Sequence, residues 1–397
     1  MADMRWKKDP YLRDVKKDTS GFGEGRYTVV RIGQTTGIAG SFTEALNNQN
    51  PTAERRFFVT DRTIYAVFSM KGSFLRKARG KPNSLLKGYE SQARSAMYDF
   101  DTVLADAAWN DVGGSKGQIS ASQNLASNVL TFRNAKALFG MNWLGKKITF
   151  ASDSGAGTSP AGERGVAGVP TTLTVTGVNH SANTLTLSAA LNTVPGITVN
   201  DFIFVAGFYA VSLTGKRGWN PITAPTGGDS HFGVDRTEAV EQLSGWRQPS
   251  AGLREHTLIE AMTLGDMANT ETARCYTNGV DWKEIVKEVG SKYVREVNVG
   301  KQGIGAKGLA VFAPQGECMV LATNRVPVGN AWVGDPAQDV LRSEGEIPQI
   351  LNEDKVGPML RSASDDAYQS RLGGDANFMP DDTANKLGPG AWVIVTW

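Results

Sequence analysis

The sequence predicts an α+β fold with a small all-β domain inserted into it, and three stretches carry that prediction. From Pro82 to Asn110 the apolar residues Leu85, Leu86, Tyr89, Ala93, Ala96, Met97, Phe100, Val103, Leu104, Ala107 and Ala108 recur at steps of three and four. That spacing puts one stripe along one side of a helix. Ahead of it, RYTVVRI (26–32) and RFFVTDRTIYAVF (56–68) are dominated by the β-branched and aromatic residues that strands favour. Behind it, from Lys147 to about Ser212, threonine, serine, glycine and valine alternate in short runs such as TTLTVTGV (171–178), TLTLS (184–188) and DFIFVAG (201–207). Regular turns separate those runs, the pattern of a small antiparallel barrel or sandwich.

Length and composition bound the rest. A chain of 397 residues has room for two or three domains and a substantial core. Hydrophobic residues make 40% of it and charged residues 21%, an ordinary globular balance, and the 45 glycines point to turn-rich β structure. A net charge of +2 argues against a dedicated nucleic-acid binder, which is as a rule distinctly basic. Cys275 and Cys318 lie in apolar stretches and read as buried thiols rather than a disulfide, which suits a reducing compartment. The N-terminus MADMRWKKDPYLRDV has no apolar signal core, and no run approaches the roughly 18 apolar residues that span a membrane. The sequence therefore reads as neither secreted nor membrane-spanning.

Taken in order, residues 1–27 read as an arm of mixed charge, closed by Gly21, Gly23 and Gly25 and lacking a core of its own, with Trp6 and Tyr11 as the anchors if it docks. The two predicted strands that follow are joined by a connection of about 20 mostly polar residues, long enough to be functional; it includes Asn47, Asn50, Pro51, Glu54 and Arg55. The returning strand carries apolar side chains on both faces, which an isolated two-stranded ribbon cannot bury. Two readings stay open: a hairpin lying on its own domain, or a flap packed on a neighbouring subunit. From Arg62 to Lys87 the chain carries Arg62, Lys71, Arg76, Lys77, Arg79, Lys81 and Lys87 and no acidic residue. Positive charge ahead of a helix N-terminus opposes the helix dipole, so helix stability does not explain the run; a solvated face or a contact surface would. The long helix, on the order of 40 Å, starts at Pro82 with Asn83 or Ser84 as cap and stops at Asn110, Asp111, Gly113 and Gly114.

Residues 115–144 hold a second amphipathic stretch (Leu125, Val129, Phe132, Leu138, Phe139, Trp143), which reads as partly helical. After the β-rich segment come helices at about 253–268 and 281–295, strands at 308–313 and 317–324, and a terminal strand AWVIVTW. From Asp335 to Asp382 the charge balance turns acidic, with Asp339, Glu344, Glu346, Asp366, Asp375 and Asp381 among the contributors. Opposite patches on one chain suit head-to-tail contact between copies.

The candidate chemical motifs are weak. GMNWLGK at 140–146 has phosphate-loop spacing, but Lys147 stands where a hydroxyl must hold magnesium, and a strand rather than a helix follows. GIGAKG at 303–308 matches dinucleotide-loop spacing and precedes a strand, so it reads as a turn. His180, His231 and His256 are scattered without ligand spacing, and no serine nucleophile elbow occurs. No catalytic, cofactor or metal site is expected.

The order of parts (charged arm, long β flap, long helix, β insertion, helix pair, late strands) resembles the major capsid protein of tailed bacteriophages, the Hong Kong phage-type shell fold shared with encapsulins. APQGECMVLATNRVPVGNAWVGD (313–335) and TNGVDWKEIVKEVGSKYV (277–294) carry the local likeness. The resemblance implies an N-terminal arm (1–27), an extended β-hairpin loop (28–80), a peripheral domain with the long spine helix (81–146), an inserted barrel-like domain (147–212), and an axial domain with strands returning to the peripheral domain (213–397). It implies a non-enzymatic subunit that assembles into pentamers and hexamers of an icosahedral shell around double-stranded DNA, with portal, scaffolding and decoration proteins as partners and the virion as location. Some members carry a scaffolding segment ahead of the arm; here the scaffold is expected to be a separate protein or the sequence to be the mature form. Inter-subunit contact is expected at Trp6, Tyr11, Glu54, Arg55, Arg62, Lys71, Arg76, Lys77, Arg79 and Lys81. The alternatives are an encapsulin-type compartment, a nucleotide-binding enzyme using 140–147, and a carbohydrate-binding role for the β insertion.

Overall fold

The computed structural model describes the chain outside residues 1–8, 22, 34–35, 74–81, 112, 134–140, 157–160, 167, 269, 271–272, 290–308, 314–315, 352–359, 362–365 and 382–386. Two six-stranded sheets build the body. In the first, Ala367–Pro380 is the hub: it pairs antiparallel with Arg62–Lys71 over ten residues and with Asp339–Ser343, and also takes Gln349–Ile350 and Leu360–Arg361. Lys16–Asp18 joins this sheet as a parallel neighbour of Asp339–Ser343. The second sheet runs in the order Trp246–Gln248, Trp392–Thr396, Asn330–Gly334, Arg274–Thr277, Gly316–Ala322, Leu309–Ala313.

The second sheet is buried on both faces, which is why AWVIVTW is a continuous apolar run rather than an alternating one. Val393 and Val395 face the helices Arg254–Met267 and Gly279–Val289, through Leu258, Met262 and Ile285. Trp392 and Ile394 join Trp332 and Tyr276 in a second cluster with Phe100 and Leu104 from the end of the long helix, Pro82–Ala107, and Trp109 just past it. Ile64, Leu341 and Phe378 of the first sheet complete that cluster. The end of the long helix is thus wedged between the two sheets. The terminal strand belongs to the sheet covered by the helix pair, not to the sheet containing Arg62–Lys71 against which the long helix lies.

The returning strand is two strands. Ala53–Val59 pairs with Arg26–Gly33, and Arg62–Lys71 leaves for the first sheet. The break at Thr60 is held from far along the chain, where the Asn377 amide donates to the Thr60 carbonyl at 2.8 Å. The base of the hairpin lies on its own body: Val30, Phe57 and Val59 are fully buried against Trp219, Val234, Leu243, Val340 and Met379.

The arm is docked as well. Asp9 caps the helix Pro10–Asp14 by accepting from the Tyr11 and Leu12 amides, and Tyr11, Leu12 and Val15 are buried. The stretch Asp9–Val15 thus shares the body's core through Tyr11, Leu12 and Val15, while Lys16, Lys17, Thr19 and Ser20 beyond it are exposed.

The β-rich unit begins at Gly117, not at Lys147. Its strands follow the order Gly117–Gln118, Phe202–Val205, Lys147–Ala151, Leu173–Asn179, Thr184–Leu187, Val129–Thr131, each pair antiparallel. The two outer strands meet through an antiparallel bridge between Ile119 and Phe132, which closes the sheet into a small barrel. The described part of 115–144, expected to be partly helical, supplies two of these strands: Leu130, Phe132 and Trp143 point into the barrel core with Ile148, Phe150, Val175 and Leu185.

Candidate assembly interface

The sequence places apolar residues where the fold cannot cover them. Phe42–Asn47 is a short helix at the tip of the hairpin, N-capped by Ser41, whose hydroxyl accepts from the Glu44 amide. Phe42 and Leu46 are one turn apart and share a face; they are 80% and 53% exposed, and Ile38 just upstream is 87% exposed. A second apolar surface lies on the outer face of the first sheet. Along Arg62–Lys71, Ile64, Phe68 and Met70 turn inward, while Tyr65 and Val67 turn to solvent. Gly373 stands across from Tyr65 and Arg371 across from Val67. A Cβ at Gly373 would meet Leu351 and Tyr65 side-chain atoms at 2.8 and 3.1 Å, so glycine makes room for the tyrosine ring. Tyr27 and Phe58 form a third exposed pair on the hairpin, with ring centroids 5.0 Å apart.

The residues expected to make inter-subunit contact fare differently. Tyr11 is spent inside its own chain: it is fully buried, its hydroxyl donates to Asp339 Oδ2 at 3.0 Å, and burial pushes its pKa well up. Arg55 pairs with Glu238 of the same chain, Nε to Oε2 at 2.5 Å, and so clamps the hairpin to the body. Glu54 stands beside it, half-buried, across from Arg31. Arg62 starts the strand of the first sheet, half-buried, with its Nε enclosed and without a partner among the described residues. Lys71 is exposed on the same sheet face as Tyr65 and Val67. Trp6, Arg76, Lys77, Arg79 and Lys81 lie outside the described residues.

The acidic stretch is not one surface patch. Asp339 is buried with Lys216 Nζ at 2.6 Å, and Asp381 is buried with Lys16 Nζ at 2.7 Å. Burial raises the Asp339 pKa, and it pushes Lys216 down to about 8 even with the carboxylate alongside. Glu344, Glu346 and Asp366 remain at the surface.

Sequence reading missed Ile38, Phe42 and Leu46. The signal was present as a capping box, Ser41 with Glu44 three residues on, inside a connection read as mostly polar and long enough to be functional. Among the other motifs, Lys147–Ala151 is a barrel strand, so no helix follows the glycines at 140–145 to face a phosphate, and 303–308 lie outside the described residues. Cys275 and Cys318 are buried free thiols whose pKa burial raises. Among the described residues, no three histidine, cysteine, aspartate or glutamate side chains converge as a metal site, and no helix is long and apolar enough to cross a membrane.

No protein-family model matches the sequence, and no curated protein is detectably similar to it. Solved structures are. A subunit from the capsid of cyanophage A-1(L) superposes with a TM-score of 0.50 at 8% identity, covering 96% of this chain and 90% of that one. The chain has the phage capsid fold. The capsid of a native GTA particle (TM-score 0.46, 9% identity, 98% and 89% covered) and the encapsulin of Synechococcus elongatus PCC 7942 (0.44, 8%, 99% and 87%) superpose less closely; the fold assignment stands on the cyanophage subunit.

Proposed function

We propose that this chain is a structural subunit of a closed protein shell, assembling with copies of itself into pentamers and hexamers around a double-stranded DNA genome. The observation that carries the reading is the hairpin: its base is locked into the body through Val30, Phe57 and Val59, while its tip presents Ile38, Phe42 and Leu46 to solvent. A rigid base under an apolar tip suits insertion into a neighbouring copy. The finer layout proposed is an arm, an extended loop, a peripheral domain with the long helix, an axial domain and an inserted barrel. The proposed partners are portal, scaffolding and decoration proteins, and the proposed setting is the virion after assembly in the host cytoplasm.

The barrel's place as an insertion is supported by where the chain enters and leaves it. The Ala210 amide donates to the Gly113 carbonyl at 3.0 Å, and the Lys216 amide to the Ala108 carbonyl at 2.7 Å. Its entry and exit are therefore adjacent.

Electron microscopy and sedimentation of the purified chain test the reading. Wild type should give closed shells or capsomer rings. The Phe42→Asp/Leu46→Asp variant should give dispersed subunits with an unchanged melting temperature, because neither side chain is buried in the monomer. Reversing Arg76, Lys77 and Arg79 to glutamate should likewise abolish assembly if the basic run meets acidic surface on the next copy. A wild-type chain that stays monomeric under all assembly conditions would overturn the proposal; shells holding a protein cargo and no nuclease-protected DNA would turn it to a compartment.

A further inference from the structure

A cavity of about 590 Å³ opens where the end of the long helix, the mouth of the barrel and the loop 324–330 meet. Four cations line it: Lys116 and Arg133 from the barrel side, Arg217 and Arg325 from the body. The acidic side chain in its wall is Asp106, and Lys116 already holds it. Arg325 reaches Asp9 with Nη1 at 3.4 Å, but its Nε is enclosed and bonded to nothing among the described residues. Arg217 forms no ion pair with a described residue, and Arg133 makes a long 3.4 Å contact to Gln118 Oε1. Trp109 is 1% exposed, and its indole Nε1 also lacks an acceptor among the described residues.

The cleft thus offers two unpartnered donors, Arg325 Nε and Trp109 Nε1, and positive charge in excess of negative. A buried donor without a partner costs roughly 1–3 kcal/mol, and like charges lining one cleft repel. Acceptor-rich negative charge relieves both. Guanidinium forks match phosphate oxygens two at a time, and the volume holds more than a single phosphate group.

We infer that this cleft binds a small phosphate-bearing anion of pyrophosphate size, which bridges Arg133 on the barrel to Arg217 and Arg325 on the body and so fixes the barrel to the body. The wall position of Trp109, deep at the end of the long helix, favours a free anion over the backbone of a nucleic acid, whose phosphates are strung along a bulky polymer.

The test is thermal melting and titration calorimetry of the full chain with sodium pyrophosphate, set against sodium chloride of equal ionic strength. Wild type should show saturable binding and a raised melting temperature. Arg217→Gln and Arg133→Gln should each bind roughly tenfold more weakly, as expected for the loss of a charge-assisted hydrogen bond, and lose most of the shift. Lys147→Gln, an exposed barrel cation outside the cleft, should respond as wild type does. Arg133 is exposed, so its variant keeps the test valid if Arg217→Gln melts early without anion. No shift beyond that of chloride, a wild-type response in both cleft variants, or a short DNA oligonucleotide competing as well as pyrophosphate would overturn the inference. Because the readout is binding and melting of subunits, its failure leaves shell assembly untouched.

Discussion

Lys216 is enclosed on every side. Its ammonium lies 2.6 Å from Asp339 and 3.7 Å from the centre of the Trp392 ring, and the Tyr11 hydroxyl completes the group by donating to the same carboxylate oxygen. Removing one member of a buried ion pair strands the other, so Lys216→Met should cost about 3–5 kcal/mol in denaturant unfolding. Replacing both, as Lys216→Met/Asp339→Leu, should recover most of that loss, since two burial penalties go with the pair. His231 gives a prediction in pH. It is buried beside Phe57, Trp219 and Phe232, with Arg236 nearby, and burial first and the guanidinium second hold its pKa well below 6.5. Below pH 6.5 the unfolded chain therefore takes a proton that the folded chain refuses. The neutral imidazole's contribution is present above that pH and lost as pH falls, with a slope approaching about 1.4 kcal/mol per unit. His231→Gln should flatten the acid limb of the stability profile between roughly pH 6.5 and 5; an unchanged slope would move the acid sensitivity elsewhere.

Elements differ in how far the sequence announces them. The long helix was legible because its stripe repeats over many turns and its end is packed: Leu104 is 1% exposed between the two sheets. Leu104→Ala should cost about 2–5 kcal/mol, whereas Tyr65→Ser, on the open sheet face, should leave the melting temperature nearly unchanged and weaken assembly. That split separates a core position from a contact position, and calorimetry with sedimentation reads both. The break at Thr60 was not legible, because the amide that fixes it, Asn377, is 317 residues away. Docking of the arm was hidden in the same way: Asp9 meets Thr323 and Arg325, Asp14 meets Tyr276, and Asp18 meets Arg342, each across nearly the whole chain. Local pattern showed a charged segment and could not show that its charges were matched. The first barrel strands failed for another reason: they are only two and three residues long, too short for a period of two to stand out from a helical one. Charge marked Arg55 and Lys71 in the sequence, and the fold pairs the first with Glu238 and leaves the second exposed; the exposed apolar tip needed the fold to show that none of the described residues covers it.

At the scale of the whole molecule, the barrel and the body have separate cores, and the contact between them includes a polar cleft. Ile119, Leu130, Phe150, Leu173, Leu185 and Ile203 pack among themselves, and none belongs to the clusters of the two sheets. The chain crosses from body to barrel and back through neighbouring backbone at Gly113 and Ala210. Two units joined this way should survive separation. Deleting 114–209 and joining Gly113 to Ala210 with a short glycine–serine link should leave the body folded, with its tryptophan-rich core intact and a cooperative melt near that of wild type. The excised segment is long enough to bury a core of its own, since domains of about 60 residues can fold alone, and should give dispersed amide resonances in solution. Its assembly is then the informative step. If the shortened body still closes into shells, the barrel is an outer addition to a complete shell subunit; if the body folds and stays dispersed, the barrel itself carries a contact between copies. Unfolding of both pieces would mean that the two cores are one cooperative unit despite their separate packing, and would count against insertion as the barrel's origin.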